Sequence, residues 1–229
     1  MIIPCYNEAR RIEVLFEGLK EFGDAYAAEW EVIIVDDGST DGTKAALENH
    51  ASFNKNIQVI RQDNTGKGGA LKRGVLEAKL DYILTLDADM ATSPIELLNW
   101  TKIENLFDKK EIFIGSREHI DSIVDDKMSR RYIGRWFNFL VRSISGLKIQ
   151  DTQCGFKLYP KEIARDLFQE LETLGWAHDV EILSRAKLKN IKFKEMPVQW
   201  EYKEGSKINV FVDSIKMLKE IISIRRMLT

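Results

Sequence analysis

Val32-Ile33-Ile34-Val35-Asp36-Asp37-Gly38-Ser39-Thr40-Asp41-Gly42-Thr43 is the stretch whose reading decides the fold. Its first four residues are β-branched and apolar without alternation, and the run is too short for a buried helix, so it reads as a strand covered on both faces of a parallel sheet. It ends in two carboxylates. The pattern recurs at Tyr82-Ile83-Leu84-Thr85-Leu86, which runs into Asp87-Ala88-Asp89. In open α/β sheets the ligand crevice lies beyond the carboxyl ends of the strands, so both acidic clusters are aimed at one place. That place calls for a cation, or for a ligand that brings one.

Two carboxylates spaced as Asp-x-Asp can reach one divalent ion, and hard oxygen donors suit Mg²⁺ or Mn²⁺. Like charges this close need a counter-ion. The competing reading is that the acids are turn and cap residues, which fits Asp41 and Thr43 in particular. Taken alone, the Asp36-Asp37 cluster leaves both readings open.

Working outward, the 229 residues, 44% hydrophobic and 31% charged, suffice for one α/β domain with a sizeable core. A net charge of -2 gives no general case for nucleic-acid binding, so any basic surface must be local. Cys5 and Cys154 stand alone, without disulfide-framework or zinc spacing, and a reducing compartment is the simpler expectation. No signal-peptide pattern opens the chain, and no apolar stretch reaches the roughly 18 residues of a membrane span. Contact with a membrane is therefore expected from its surface. Met1-Ile2-Ile3-Pro4 reads as a buried strand that begins abruptly, as if further residues preceded it in the natural chain.

After the Pro4-Cys5-Tyr6-Asn7-Glu8 turn, Ile12, Leu15, Phe16, Leu19 and Phe22 recur at helical spacing. Strand, helix and strand in that order imply a right-handed crossover and parallel pairing. A helix over 43–50, a strand over 57–60, a helix carrying Leu71, Val75 and Ala78, and the strand at 82–86 complete a Rossmann-like nucleotide-binding half. Gly66-Lys67-Gly68-Gly69 at a helix start offers either backbone N–H groups and an ammonium to a phosphate or simple turn geometry.

The second half differs in texture. Ile112-Phe113-Ile114-Gly115-Ser116-Arg117 reads as a strand ending in a cation. Residues 129–146 form a helical pattern with a broad apolar face and with Arg131, Arg135 and Arg142 together on another. From Val210 onward, Phe211, Ile215, Leu218 and Ile222 are apolar while Lys216, Lys219, Arg225 and Arg226 are basic. Two basic amphipathic segments in an acidic chain point to anionic lipid, although a core helix with a solvated basic face fits the first of them as well.

On Ile3-Pro4-Cys5-Tyr6-Asn7-Glu8, Val35-Asp36-Asp37-Gly38-Ser39-Thr40-Asp41-Gly42-Thr43 and Asp87-Ala88-Asp89, the chain resembles the inverting GT-A glycosyltransferases of family two. Asn64 with Gly66-Lys67-Gly68-Gly69-Ala70, Gly115-Ser116-Arg117, Asp151-Thr152-Gln153-Cys154-Gly155-Phe156-Lys157-Leu158, Trp176-Ala177-His178-Asp179-Val180-Glu181 and Gly205-Ser206-Lys207 resemble its dolichyl-phosphate β-glucosyltransferase branch. The expected architecture is a GT-A fold. It has a Rossmann-like nucleotide-sugar half over about residues 1–110, an acceptor half over about 111–229, and a mainly parallel mixed sheet flanked by helices. Three departures stand out. The N-terminal membrane anchor of eukaryotic members is absent here, so attachment is expected from amphipathic segments or a membrane-protein partner. His178 replaces an aromatic residue, and Ala91 stands where the mannosyl branch has a glutamine that ligates metal.

The resemblance implies roles. Pro4, Tyr6, Asn7, Glu8, Asp36 and Asp37 would hold uridine and ribose, with Lys67 and Gly68 also on the donor. Asp87, Ala88 and Asp89 would face the donor diphosphate, Asp87 and Asp89 ligating Mg²⁺ or Mn²⁺. Arg117, Arg131 or its neighbour Arg130, Asp151, Gln153 and Lys207 would face the acceptor. Asp87, Asp89, Arg117 and Lys207 would carry catalysis. Asp179 and Glu181 either bind sugar hydroxyls or cap and pair. The implied reaction moves glucose from UDP-glucose to a dolichyl or undecaprenyl phosphate at the cytoplasmic face of a membrane. A phosphate monoester is already anionic near neutrality, so cations rather than a strong base are expected. The alternatives are another donor such as GDP-mannose, a soluble sugar acceptor, or a non-catalytic nucleotide-sugar-binding module.

Overall fold

A computed structural model describes residues 1–52, 54–107, 109–125, 138–203 and 210–228, with side chains described except over 210–214. Its strands are β1 (Ile2–Cys5), β2 (Val32–Asp37), β3 (Ile57–Gln62), β4 (Tyr82–Thr85), β5 (Glu111–Gly115), β6 (Ile123–Asp125), β7 (Lys157–Pro160), β8 (Lys192–Met196) and β9 (Gln199–Glu201). Seven of them form one sheet in the order β3-β2-β1-β4-β7-β5-β8, and β6 pairs with β9. The ladders β1–β2, β2–β3, β1–β4 and β5–β8 are parallel, whereas β7 runs antiparallel to both β4 and β5. The mainly parallel mixed sheet expected from the sequence is present.

The unbroken apolar runs follow from burial on both faces. Ile2, Ile33, Val35, Ile83, Ile112 and Ile114 belong to one core, while their chain neighbours Ile3, Val32, Ile34, Leu84 and Phe113 belong to the other. The period-2 alternation of a strand sends successive residues to opposite sides. The first core is closed by α3 (Lys67–Glu77), α6 (Lys161–Gln169), α7 (His178–Leu188) and α8 (Val210–Leu228), with Val141 from α5, a helix described over 138–145. The second is closed by α1 (Ile12–Ala25), α2 (Thr43–Ala51) and α4 (Glu96–Ile103).

On α1 the expected stripe is buried at Ile12, Leu15, Leu19 and Phe22, each worth about 1.5–3 kcal/mol. Phe16 is only half-buried and stacks on His50 at 4.7 Å between ring centroids. Of the expected 129–146 helix, residues up to 137 lie outside the described residues, Arg131 among them. No described helix is long and apolar enough to cross a membrane.

On α8, Met217, Ile221 and Ile224 enter the core, whereas Ile215 and Ile222, from the apolar stripe read in the sequence, are 52% and 42% exposed.

Candidate active site

Strand order reverses direction at β1 and β4, which are neighbours although β2 and β3 intervene in the chain. A crevice at such a switch point lies at the carboxyl edge, where Tyr6-Asn7-Glu8 leaves β1 and Asp87-Ala88-Asp89 leaves β4. Because β7 is reversed, its beginning faces the same edge, and the 151–156 segment that feeds it joins the site.

Asp36 and Asp37, expected on the nucleoside, are almost wholly buried. Asp36 accepts from the Ser39 amide at 2.9 Å and pairs with Arg61 at 3.2 Å. Asp37 accepts from Gln62 Nε2 at 2.7 Å and from the Thr65 and Gly66 amides at 2.9 and 2.8 Å. Both therefore hold the loops at the carboxyl end of β2, Asp36 the 38–39 turn and Asp37 the 62–66 loop. Asn7, with φ of 56°, does likewise: its amide donates to Ser39 Oγ and its Oδ1 accepts from the Thr40 amide. Glu8 pairs with Arg11, Pro4 is half-buried within β1, and Tyr6 presents a ring 44% exposed. Asp41 accepts from the Thr43 amide at 2.9 Å, the turn chemistry its position suggested.

For the glycine loop the geometry favours the turn reading. The Gly68 and Gly69 amides both donate to the Leu174 carbonyl, at 2.8 and 3.3 Å, so the α3 N-terminus is already capped. The Gly68 amide, expected on the donor, is thus engaged within the protein. Gly66 has φ of +95°, and a Cβ there would lie 2.6 Å from the Leu174 oxygen, a place only glycine fills without strain. What the loop offers a ligand is Lys67.

Lys67 Nζ lies 2.6 Å from Asp87 Oδ1. Burial opposes its charge, but Asp87, Asp179 and Asp89 outweigh burial and hold its pKa above the ordinary lysine value. The Asp89 carboxyl is pushed up, chiefly by burial and then by the Asp87 charge, and accepts from the Ala91 amide at 3.0 Å. Between them Met90 is buried with φ of 55°, a left-handed conformation that costs a bulky residue about 1–3 kcal/mol and concentrates at functional sites. Among the described residues no group of three or more His, Cys, Asp or Glu is arranged around a metal position. The donor set nevertheless fits a hard divalent ion: two carboxylates repel each other, and one ammonium is present to offset them. A narrow cleft beside Asp87 is lined by Leu86, Ala91, Thr92, Gly155, Phe156 and Trp200.

Asp151, expected to face the acceptor, is fully buried beneath Arg117. Arg117 donates from Nε to Oδ2 at 2.6 Å and from NH2 to Oδ1 at 2.9 Å, a bidentate grip that fixes the guanidinium. Burial alone would raise the Asp151 carboxyl, but Arg117 outweighs it and leaves the group below its usual range. Gln153 is half-buried, its Nε2 3.3 Å from Met217 Sδ. The choice left open for Asp179 and Glu181 resolves to pairing and capping. Asp179 is bound by the buried Lys157 at 2.6 Å, which outweighs burial and lowers its pKa. Glu181 accepts from the Glu172 and Thr173 amides and from Arg185. Arg131 and Lys207 lie outside the described residues.

Two features escaped the sequence reading. Lys157 sits in an apolar run, Phe156-Lys157-Leu158-Tyr159, and a lone lysine in such a run was the available signal. Trp176 is 44% exposed, with its ring centroid 5.7 Å from Lys67 Nζ, and nothing in spacing announces that contact. His178, the departure noted above, is buried; its Nδ1 lies 2.9 Å from the Gly175 carbonyl and its Nε2 lies 3.5 Å from Asp179 Oδ2.

Residues 1–168 match glycosyl transferase family 2. The chain is 36% identical over 242 residues to the dolichyl-phosphate beta-glucosyltransferase of Dictyostelium discoideum, covering 98% of this chain and 73% of the relative. It is 34% identical over 239 residues to the human enzyme of the same name, covering 98% and 74%. Among solved structures it resembles glucosyl-3-phosphoglycerate synthase from Mycobacterium tuberculosis, determined with Mn²⁺, UDP and phosphoglyceric acid. That likeness has a TM-score of 0.68 and 16% identity over 99% of this chain and 76% of that one. A fold with its crevice at the β1–β4 switch point, two carboxylates beyond β4 and relatives of this kind place the chain in one family: it belongs to glycosyl transferase family 2 and is a glycosyltransferase.

Proposed function

We propose that this enzyme transfers glucose from UDP-glucose to a polyprenyl phosphate, with inversion, at the cytoplasmic surface of a membrane. The observation that carries the reading is the state of two buried carboxylates around the site. Asp151 and Asp179 are each locked by a cation and held below their usual range. A carboxylate so placed is a poor base, whereas a sugar hydroxyl needs one. An acceptor phosphate arrives already ionised, its second pKa being about 6. The relatives named for dolichyl-phosphate glucosylation support the same acceptor class.

In this reading an acceptor phosphate oxygen attacks the anomeric carbon as the bond from that carbon to the diphosphate oxygen breaks, and UDP leaves with the electron pair. Lys67 stands beside the departing diphosphate and Arg117 draws in the acceptor phosphate, offsetting repulsion between two anions. Asp87 and Asp89 would hold Mg²⁺ or Mn²⁺, which supplies charge neutralisation for the leaving group. The outward face of α8, with Ile215 and Ile222 exposed among Lys216, Lys219 and Arg226, suits an anionic bilayer.

The test incubates the protein with Mg²⁺, a short polyprenyl phosphate and labelled nucleotide sugars, then counts organic-extractable label. Label from UDP-glucose is expected. Transfer to water-soluble sugars with none to lipid would overturn the proposal.

A further inference from the structure

The inner side of α8 carries a residue that the reaction as described does not use. Glu220 Oε2 accepts from the Ala177 amide at 3.0 Å, and a Cβ on Gly175 would meet Glu220 Oε1 at 2.6 Å, so the carboxylate lies directly against the chain on both sides of Trp176. That segment is pinned elsewhere as well. The Leu174 carbonyl caps α3, the Thr173 amide donates to Glu181 at 2.6 Å, and the Gly175 carbonyl is held by His178. A backbone fixed at so many points keeps an indole in the open beside Lys67, and Lys67 grips Asp87. A chain of direct contacts thus runs from α8 through Glu220, the 175–177 backbone, Trp176 and Lys67 to Asp87. Met217, one turn before Ile221 on the same helix, also touches Gln153 of the acceptor loop.

The outer side of α8 is the surface already read as facing lipid. At about 3.6 residues per turn, Ile215, Leu218 and Ile222 share a stripe roughly a third of a turn from Met217, Ile221 and Ile224, with Lys219 and Arg226 along one border. One helix therefore has an apolar, cation-bordered side turned outward and a side that holds the donor edge.

Resting on that membrane reading, we infer that Glu220 is a positioning residue through which an anionic bilayer docked on α8 sets the Trp176–Lys67–Asp87 geometry. Donor affinity then depends on docking, although no lipid touches the donor.

The experiment follows tryptophan emission and UDP-glucose KM for the full chain, with one fixed concentration of a short polyprenyl phosphate as acceptor in every kinetic assay, with and without added phosphatidylglycerol vesicles, alongside co-sedimentation. Vesicles are expected to shift the emission component that is lost in Trp176→Phe, and to lower KM. Glu220→Ala should still co-sediment but raise KM roughly tenfold, with kcat changed less than about threefold, and lose the vesicle response. Glu220→Gln, whose amide oxygen can still accept from Ala177, should restore most of it. Should Glu220→Ala fail to fold, Ile222→Ser on the outer side replaces it, with vesicle response lost and the vesicle-free KM retained. Co-sedimentation without any Trp176-dependent change, or a Glu220→Ala protein that responds like the parent, would overturn the coupling while leaving transfer to polyprenyl phosphate intact. Failure to co-sediment would remove the docking and the coupling together.

Discussion

Arg117 grips Asp151 edge-on, Nε to Oδ2 at 2.6 Å and NH2 to Oδ1 at 2.9 Å, with the carboxylate wholly buried and the guanidinium side chain 31% exposed. The aspartate thus fixes the orientation of the arginine, whose guanidinium lies 5.7 Å from the Trp200 ring centroid. Asp151→Asn keeps the shape but leaves the cation without its counter-charge, at a cost of about 3 kcal/mol. Urea denaturation should register that loss, and the KM for acceptor phosphate should rise far more than the KM for UDP-glucose. Equal effects on both substrates would refute the positioning role.

Asp89→Ala removes one of the two carboxylates proposed to hold a divalent ion. Turnover should fall at least a hundredfold, by loss of an electrostatic contribution of about 3 kcal/mol or more, and Mn²⁺ should no longer enhance UDP binding in calorimetry. Retained metal-dependent UDP binding would show that Asp89 is not a ligand.

Gly155 separates function from stability. A Cβ there would approach all three carboxylate atoms of Asp87 within 2.5–2.7 Å. The clash is with a side-chain end, which moves, so Gly155→Ala should unfold within about 1 kcal/mol of the parent while activity drops at least tenfold. Gly66→Ala is the contrast: backbone at φ of +95° facing the Leu174 carbonyl cannot yield, and stability should fall first. Thermal melts set against kcat for the two variants decide it.

His178 gives a pH signature. Burial, aided by Lys67 and Lys157, lowers its pKa below 6.5 despite the raising influence of Asp179. Between that lowered value and 6.5 the unfolded chain binds the extra proton, so stability is complete above pH 6.5 and declines as pH falls toward the folded-state pKa. His178→Phe should flatten this decline. Denaturation midpoints at pH 7.5 and 5.5 measure it, and an equal decline in both proteins would count against the assignment.

Much of the frame was legible because burial on both faces leaves a plain trace: Val32–Val35 and Tyr82–Leu86 could be nothing polar, and the acids that end them had to sit at the edge of the sheet. Partners were not legible. Nothing in Lys157-Leu158-Tyr159-Pro160 reveals that this strand runs backwards, since a four-residue run carries no direction. The capping of α3 by Leu174 joins residues more than a hundred positions apart, and no local pattern encodes it. The reading of α8 found the outward stripe of Ile215 and Ile222 but not the inward one of Met217, Ile221 and Ile224, because a helix with two apolar sides has no single period to follow.

The family match ends at residue 168, whereas β8, at Lys192–Met196, lies against β5 through five register pairs from Glu111 to Gly115. A protein cut at that boundary would leave Ile112, Phe113 and Ile114 along an unguarded strand margin, with open amides and carbonyls available to any neighbouring chain. Such a fragment would self-associate rather than fold. The practical unit for expression, or for grafting onto another protein, therefore extends past Met196, whatever a conserved-sequence boundary suggests.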